Sequence, residues 1–475
     1  MTAIARLTAA VGAVAAAVAC SAPAVDPAPS LPDPGLPQRL VESVTGNGAY
    51  RHLKELQRIA DANGGNRALG TPGYDASVEY VADVLRDAGY QVDIPSFTAR
   101  RFELQEVRLT VDGVPVPATA LEFSPSTPEE GLTAPLAVVA QDDTSGCEAA
   151  DFAGVPAGAI VLVRRGTCPF DQKATTAAAA GAGAVLVVNN VDGSLEAATL
   201  GTDVAGAVPT AGLSQADGAE LADRAGTPVT LVLAATVAEA ASRSVIAQTR
   251  TGSPDEVVMA GAHLDSVPAG PGINDNGSGT AALLETAVRL GGSPPVANAV
   301  RFAFWGAEEV GLVGSTSYVG GLAEADRKRI ALYLNLDMVA SPNPGYLIYD
   351  GDNSDAEGAG EGPAGSAVIE RVLAEGLAAA GVTATEGTDF DGRSDYGPFI
   401  DVDIPAGGLF TGAEDEKTAE QVQRWGGTAD APFDPCYHQA CDRIDAVDRT
   451  ALDRNVDAVA AALARFALST DELTG

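Results

Sequence analysis

The chain has 475 residues, 46% of them hydrophobic and only 5% aromatic, which is ample for a large core and too long for one ordinary domain; two folded units and a leader are expected. Its 29 basic residues stand against 64 acidic ones, a formal net charge of −35. So negative a surface repels phosphate backbones and anionic lipid headgroups, which excludes nucleic-acid binding; its plain use is solubility or salt tolerance.

Residues 1–20, MTAIARLTAAVGAVAAAVAC, carry one arginine and then an uncharged Ala/Val/Leu run too short for a comfortable membrane span, the pattern of an export signal. Its end, Ala17-Val18-Ala19-Cys20, resembles a bacterial lipobox, in which the leader is cut before a cysteine that then carries lipid. That resemblance implies an exported lipoprotein anchored to the cell membrane and facing outside the cytoplasm, or a secreted protein if Cys20 stays unmodified. Residues 21–44 open proline-rich and read as a linker, an extended tether. Five cysteines leave one over if the rest pair in an oxidising compartment. Cys20 is the odd one, with Cys147–Cys168 and Cys436–Cys441 as the bridges. The second bridge closes a short loop, which constrains the unfolded chain only modestly, so its expected use is to hold Tyr437 and His438 in place.

Helical spacing opens the mature chain, with Leu53, Leu56, Ile59 and Ala60 on one face of residues 50–62 and Tyr74, Val78, Val81 and Leu85 on one face of 73–88. His52 lies in the first helix without acidic or cysteine neighbours and reads as a surface histidine. From about 105 to 240 the character changes to short β-rich runs, LAVVA, AIVLVRR, AVLVVNN and VTLVLAA, with an alanine-rich helix at 172–182, a compact domain inserted into the first. It has no catalytic constellation of its own, and either roofs a cleft or acts as a spacer. After 240 the pattern is that of a doubly wound α/β unit: apolar strands VVMAGA, AVRFAFW, ALYLNLD and PGYLIYD alternate with helices near 278–291, 312–320 and 365–380. Strands so uniformly apolar are buried on both faces, and ligands of such sheets gather beyond the carboxyl ends of the strands.

The chemistry-bearing residues fall at those ends. His263 follows VVMAGA, Glu308 and Glu309 follow RFAFW, and Asp337 closes ALYLNLD. Asp275 lies in a Gly/Asn-rich loop before a helix start near Ser278, where the helix dipole also favours an acid. With His438, they supply imidazole and carboxylate oxygen in sequence order, the ligand types zinc accepts where thiolate is absent. Calcium is not supported: the acidic stretches 350–361 and 442–453 lack EF-hand spacing and read as solvated loops.

GAHLDSVPAGPGINDNGSG, FAFWGAEEVGLVGS, LNLDMV, GRSDYGPF and CYHQACD together resemble the M28 family of zinc aminopeptidases, over roughly 45–100 and 245–470. RGTCPFDQKATTAAAAGAGAVLVVNN is similar to a protease-associated (PA) domain. The resemblance implies the zinc-exopeptidase fold, a doubly wound mixed sheet with helices on both faces formed by 45–104 and 241–475, with an inserted β-rich PA domain at 105–240. It implies two zinc ions, one held by His263 and Asp337, the other by Glu309 and His438, with Asp275 bridging them. Glu308 falls at the general-base position, and Tyr437 at the residue that hydrogen-bonds the oxyanion. Asp265 is implied to orient the His263 imidazole, and Arg393 lies near the bound substrate, although it could equally be a structural partner of Asp395 or Asp391. The implied activity is removal of the first residue from peptides with a free N-terminus, by a monomer that activates water at the dinuclear site. Glu308 and Asp337 could share recognition of the α-ammonium, with a lean towards apolar first residues. A carboxypeptidase or glutaminyl cyclase of the same fold is the alternative enzyme. A non-catalytic binding ectodomain would lack ligands or base, and none is missing.

Overall fold

The apolar runs after residue 240 line up in one sheet. The computed structural model describes residues 31–195, 198–201, 205–355 and 360–474. The predicted signal at 1–20, Cys20 itself and the linker up to residue 30 lie outside the described residues. The sheet has eight strands in the order Gln91–Asp93, Val245–Gln248, Asn298–Trp305, Ser253–His263, Ile330–Leu336, Ala406–Phe410, Leu347–Tyr349 and Glu386–Thr388. Its middle is parallel: Ser253–His263 lies between Asn298–Trp305 and Ile330–Leu336, and Ala406–Phe410 continues the same direction. Antiparallel pairs flank this centre, so the sheet is mixed.

Alternation along the strands divides the core in two. Val258, Ala260, Phe302, Phe304, Leu332 and Leu334 face a layer that includes helices Gly46–Ala62, Pro72–Asp87, Gly277–Leu290, Ser366–Ala379 and Arg449–Leu468. Met259, Ala303, Trp305 and Tyr333 face the opposite side, where Val319 and Phe399 cover them. Both faces are buried, which is why these strands read as continuous apolar runs. The long C-terminal helix Arg449–Leu468 starts where the Asp448 side chain accepts the N–H groups of Thr450 and Ala451, both 2.8 Å away.

Two expectations are corrected here. The linker expected over 21–44 is not extended throughout: Leu36–Ser43 is a helix, because Leu36 and Leu40 fall one turn apart and both bury in the main core. His52 is not a surface histidine. Its Nδ1 lies 2.6 Å from the Tyr80 hydroxyl and its Nε2 3.8 Å from the buried Glu285 carboxylate, and burial pushes its pKa down to about 4. Its partners come from two other helices, which no local window displays.

The inserted unit is a second eight-stranded sheet, in the order Val114–Val116, Ser96–Val111, Pro228–Arg243, Leu132–Val138, Ile160–Arg164, Ala184–Val188, Thr210–Leu213 and Thr119–Ala120. Alternate residues of its central strands bury on opposite faces, Leu162 and Leu186 on one, Val161, Val163, Val185 and Val187 on the other. Cys147 and Cys168 are bonded. The expected short runs include two strands of 16 residues, Ser96–Val111 and Pro228–Arg243, paired antiparallel with a bulge between Leu104 and Glu106. This ribbon joins the units. Its base, at Phe97, Ala99 and Ala240, packs against Ala307, Val310 and Val313 around the loop that carries Glu308 and Glu309.

Candidate metal centre

Three adjacent parallel strands deliver the site from their carboxyl ends. His263 is the last residue of its strand, Asp337 follows Leu336 directly, and Glu308 and Glu309 occupy the turn after Trp305. Asp275 stands just before Asn276, whose side chain accepts the Gly279 N–H at 2.9 Å to cap helix Gly277–Leu290 and donates to the Leu336 carbonyl at 2.8 Å. A Cβ at Gly279 would lie 2.4 Å from that carbonyl, so glycine is what lets the helix start beside Asp337. His438 arrives from the far end of the chain on the loop closed by the Cys436–Cys441 bond.

The six residues meet as two imidazole–carboxylate sets sharing one acid. His263 Nε2 is 3.2 Å from Asp275 Oδ1 and 3.3 Å from Asp337 Oδ1; His438 Nε2 is 3.2 Å from Asp275 Oδ2 and 3.1 Å from Glu309 Oε2. Glu308 Oε2 stands off at 3.8 Å from His263 Nε2. His263, Asp275 and Glu309 bring ligand atoms within 4.8 Å of one another, as do His263, Glu308 and Asp337. Buried carboxylate oxygens normally have partners, yet Glu309 Oε1 and Asp337 Oδ1 have no hydrogen bond. Oxygens left bare beside imidazole nitrogens are the donor set that divalent zinc accepts, so these residues fit the metal.

The electrostatics point the same way. Burial lifts the Glu309 carboxyl to about 7, with the Asp275 charge adding to the rise and His438 opposing it. Burial also pushes Glu308 well above the usual carboxylate range; His263 pulls it back, while Asp337, Asp395 and Glu309 reinforce the rise. Burial alone would depress the two histidines, but the surrounding carboxylates win, raising His263 well above its ordinary value and His438 to about 11. A cluster so short of positive charge is one that cations relieve.

Asp265 lies fully buried beside His263, but mainly through its carbonyl, 3.2 Å from Nδ1; its carboxylate, 3.9 Å from Nδ1, accepts the backbone N–H groups of Glu308 at 3.1 Å and Glu309 at 3.4 Å. It therefore ties the two glutamates to the histidine strand. Arg393 pairs with neither expected carboxylate: its guanidinium donates to Glu414 at 3.0 Å and to the Tyr437 hydroxyl at 3.2 Å, and Asp391 accepts only its backbone N–H. Tyr437 stacks on His438 with ring centroids 3.9 Å apart.

Several positioning residues had not been singled out in the sequence. Buried Arg67 donates to the carbonyls of Leu264, Pro271 (2.9 Å) and Gly272 (2.6 Å), pinning the loop between His263 and Asp275. The Asp442 carboxylate accepts the N–H groups of Asn274 and Asp275. Ser394 donates to Asp337 Oδ2 at 2.6 Å and accepts from Asn335, which accepts from Tyr333, itself bonded to Trp305. Ser394 and Asp442 stand inside the GRSDYGPF and CYHQACD motifs, a signal that was available; Arg67 carries none. Asp350, Asp352 and Glu370 form a separate carboxylate cluster, whose oxygens accept the nearby N–H groups of Ser354, Asp355 and Gly351.

A cleft of about 480 Å³ opens over the site. Backbone strain collects around it. Apart from Asp, Asn and His, the non-glycine residues held at positive φ among the described residues are Phe123, Ala307, Leu312 and Met338, and every one lines the cleft or adjoins Glu308.

Residues 244–463 match the model of peptidase family M28, and residues 132–221 match the PA domain. The chain belongs to peptidase family M28. It is 53% identical, over 89% of its length and 85% of the relative's, to a Mycobacterium tuberculosis protein named "Probable lipoprotein aminopeptidase". Among solved structures it resembles an aminopeptidase from Aneurinibacillus sp. strain AM-1 (TM-score 0.75, 27% identity, covering 91% of this chain and 96% of that one). It also resembles a zinc aminopeptidase from Bacillus subtilis (TM-score 0.66, 28% identity, covering 90% and 96%).

Proposed function

We propose that this chain is a zinc-dependent aminopeptidase acting on peptides with a free N-terminus, and that it holds two zinc ions. His263 and Asp337 would bind one, His438 and Glu309 the other, and Asp275 both. The observation that carries this reading is the sharing of Asp275 by two imidazole–carboxylate sets, with Glu308 left outside both pairs. The family membership and the names of the relatives agree with it.

Bound zinc supplies Lewis acidity, polarising the scissile carbonyl and making water acidic enough to ionise near neutral pH. Glu308 supplies the base: its carboxylate takes the proton of the attacking water and returns it to the leaving amine nitrogen. The Tyr437 hydroxyl, which already accepts from Arg393 and keeps its own proton free to donate, stabilises the oxyanion. Asp265 and Ser394 keep Glu308, Glu309 and Asp337 aimed into the cleft.

We further infer export and lipid anchoring through Cys20, supported by the lipobox-like Ala17-Val18-Ala19-Cys20 and by the lipoprotein name of the mycobacterial relative. Among the described residues no helix is long and apolar enough to cross a membrane.

Aminoacyl-4-nitroanilides test the activity. Hydrolysis is expected to vanish with a chelator, return with zinc, and require an unblocked amine. Glu308→Gln should lower kcat by roughly 10²–10⁴ with zinc content unchanged. Equal cleavage of N-acetylated substrates would defeat the reading.

A further inference from the structure

The inserted domain does more than stand over the site. We infer that it forms one wall of the substrate cleft, where the Glu122 carboxylate binds an ammonium group of the peptide; this rests on the aminopeptidase reading above.

Glu122 and Phe123 line the same cleft as Glu308, Tyr437 and His438. Their placement is firm. The Glu122 N–H donates to the Ala198 carbonyl at 2.8 Å, its own carbonyl accepts from Leu200 at 2.9 Å, and the Ser124 hydroxyl accepts the Thr210 N–H at 2.8 Å. Phe123 is held at φ +58°, its side chain buried against Phe102 at 5.8 Å between ring centroids. A phenylalanine in that conformation is a costly arrangement, and it turns the backbone so that Glu122 stands at the cleft. It is the inserted domain's only member of the strained set bordering the site among the described residues.

Charge then decides what Glu122 can do. Zinc would occupy Asp275, Glu309 and Asp337, and Glu308 handles the proton. Arg393 is spent on Glu414 and Tyr437, while Asp391 accepts from the Tyr396 hydroxyl. Among the described residues the Glu122 carboxylate has neither a hydrogen bond nor an ion pair; its burial at the cleft raises its pKa, a rise that a charge on His438 opposes and a cation beside it would relieve. An ammonium group placed beside two divalent cations is repelled, so a nearby carboxylate not committed to them is what holds it there. The ammonium could be the α-amine of any substrate or the side chain of a terminal lysine.

Steady-state kinetics of the zinc-loaded full chain on leucyl- and lysyl-4-nitroanilide separate these. Glu122→Gln is expected to raise KM roughly tenfold with kcat little changed, as for loss of a charged hydrogen bond to bound substrate. Glu122→Asp should recover part of the loss, and Glu130→Gln, an exposed acid of the same domain, should cause none. A rise on both substrates assigns the α-amine; a rise on lysyl-nitroanilide alone assigns the side chain. Unchanged KM on both substrates, or a fall in kcat alone, overturns the inference. In either of those cases chelator-sensitive hydrolysis by the parent chain still leaves the aminopeptidase reading standing.

Discussion

The two histidines of the candidate centre meet the same shared acid, Asp275, from different foundations. His263 is the last residue of a central strand, its side chain 1% exposed, with Asp265 beneath it and Arg67 fastening the loop that follows. His438 sits on a loop with φ +56°, its side chain 29% exposed, stacked on Tyr437 and confined by the Cys436–Cys441 bond. A strand end inherits its position from the whole sheet, whereas a loop has to be held by local devices. The half-site around His263 should therefore be coupled to folding, and the one around His438 to the local covalent clamp.

The sharpest contrast comes from removing each imidazole. His263→Ala leaves Asp275, Asp337 and Glu308 buried together without their counter-charge, and should cost the zinc-free protein about 3–5 kcal/mol in urea unfolding. His438→Ala also leaves Asp275 and Glu309 without their counter-charge, but from a loop whose histidine is 29% exposed, so that water screens them; it should cost less than His263→Ala while still losing zinc from its half-site. Equal losses of stability would break the comparison.

Next in size is the clamp. With Cys436 and Cys441 both replaced by serine, zinc at the His438 half-site should weaken by roughly 10–100-fold, the usual effect of losing the groups that orient a ligand. Chelator competition should show the other half-site little changed. Parallel weakening of both would mean that the disulfide supports the centre as a whole.

The smallest effect expected is at Ser394→Ala. It removes the 2.6 Å hydrogen bond to Asp337 Oδ2 and should cost about 1 kcal/mol of zinc affinity, confined to the His263 half-site. Loss at the His438 half-site instead would contradict the assignment of Asp337 to His263.

The legible part of this protein was what short segments carry. VVMAGAH, RFAFWGAEE and ALYLNLD each combine a doubly buried strand with a polar residue at its carboxyl end, so both the parallel centre of the sheet and the candidate site could be read from residue type and order. Helices with one clear apolar face, such as Gly46–Ala62 and Pro72–Asp87, were equally plain. The 16-residue ribbon was hidden, because its exposed middle has no alternating burial to advertise it. His52 was misplaced because Tyr80 and Glu285 reach it from other helices.

The sequence by itself determined the donor types, their order along the chain and the strand ends on which three of them stand, since those depend on local periodicity and side-chain chemistry. Only the tertiary structure decided that Asp275 lies between two imidazoles 175 positions apart, that Arg393 turns to Glu414 and Tyr437, and that a residue of the inserted domain faces the same cleft. Such juxtapositions are set by the packing of distant segments around a common core, and no run of neighbouring residues records them.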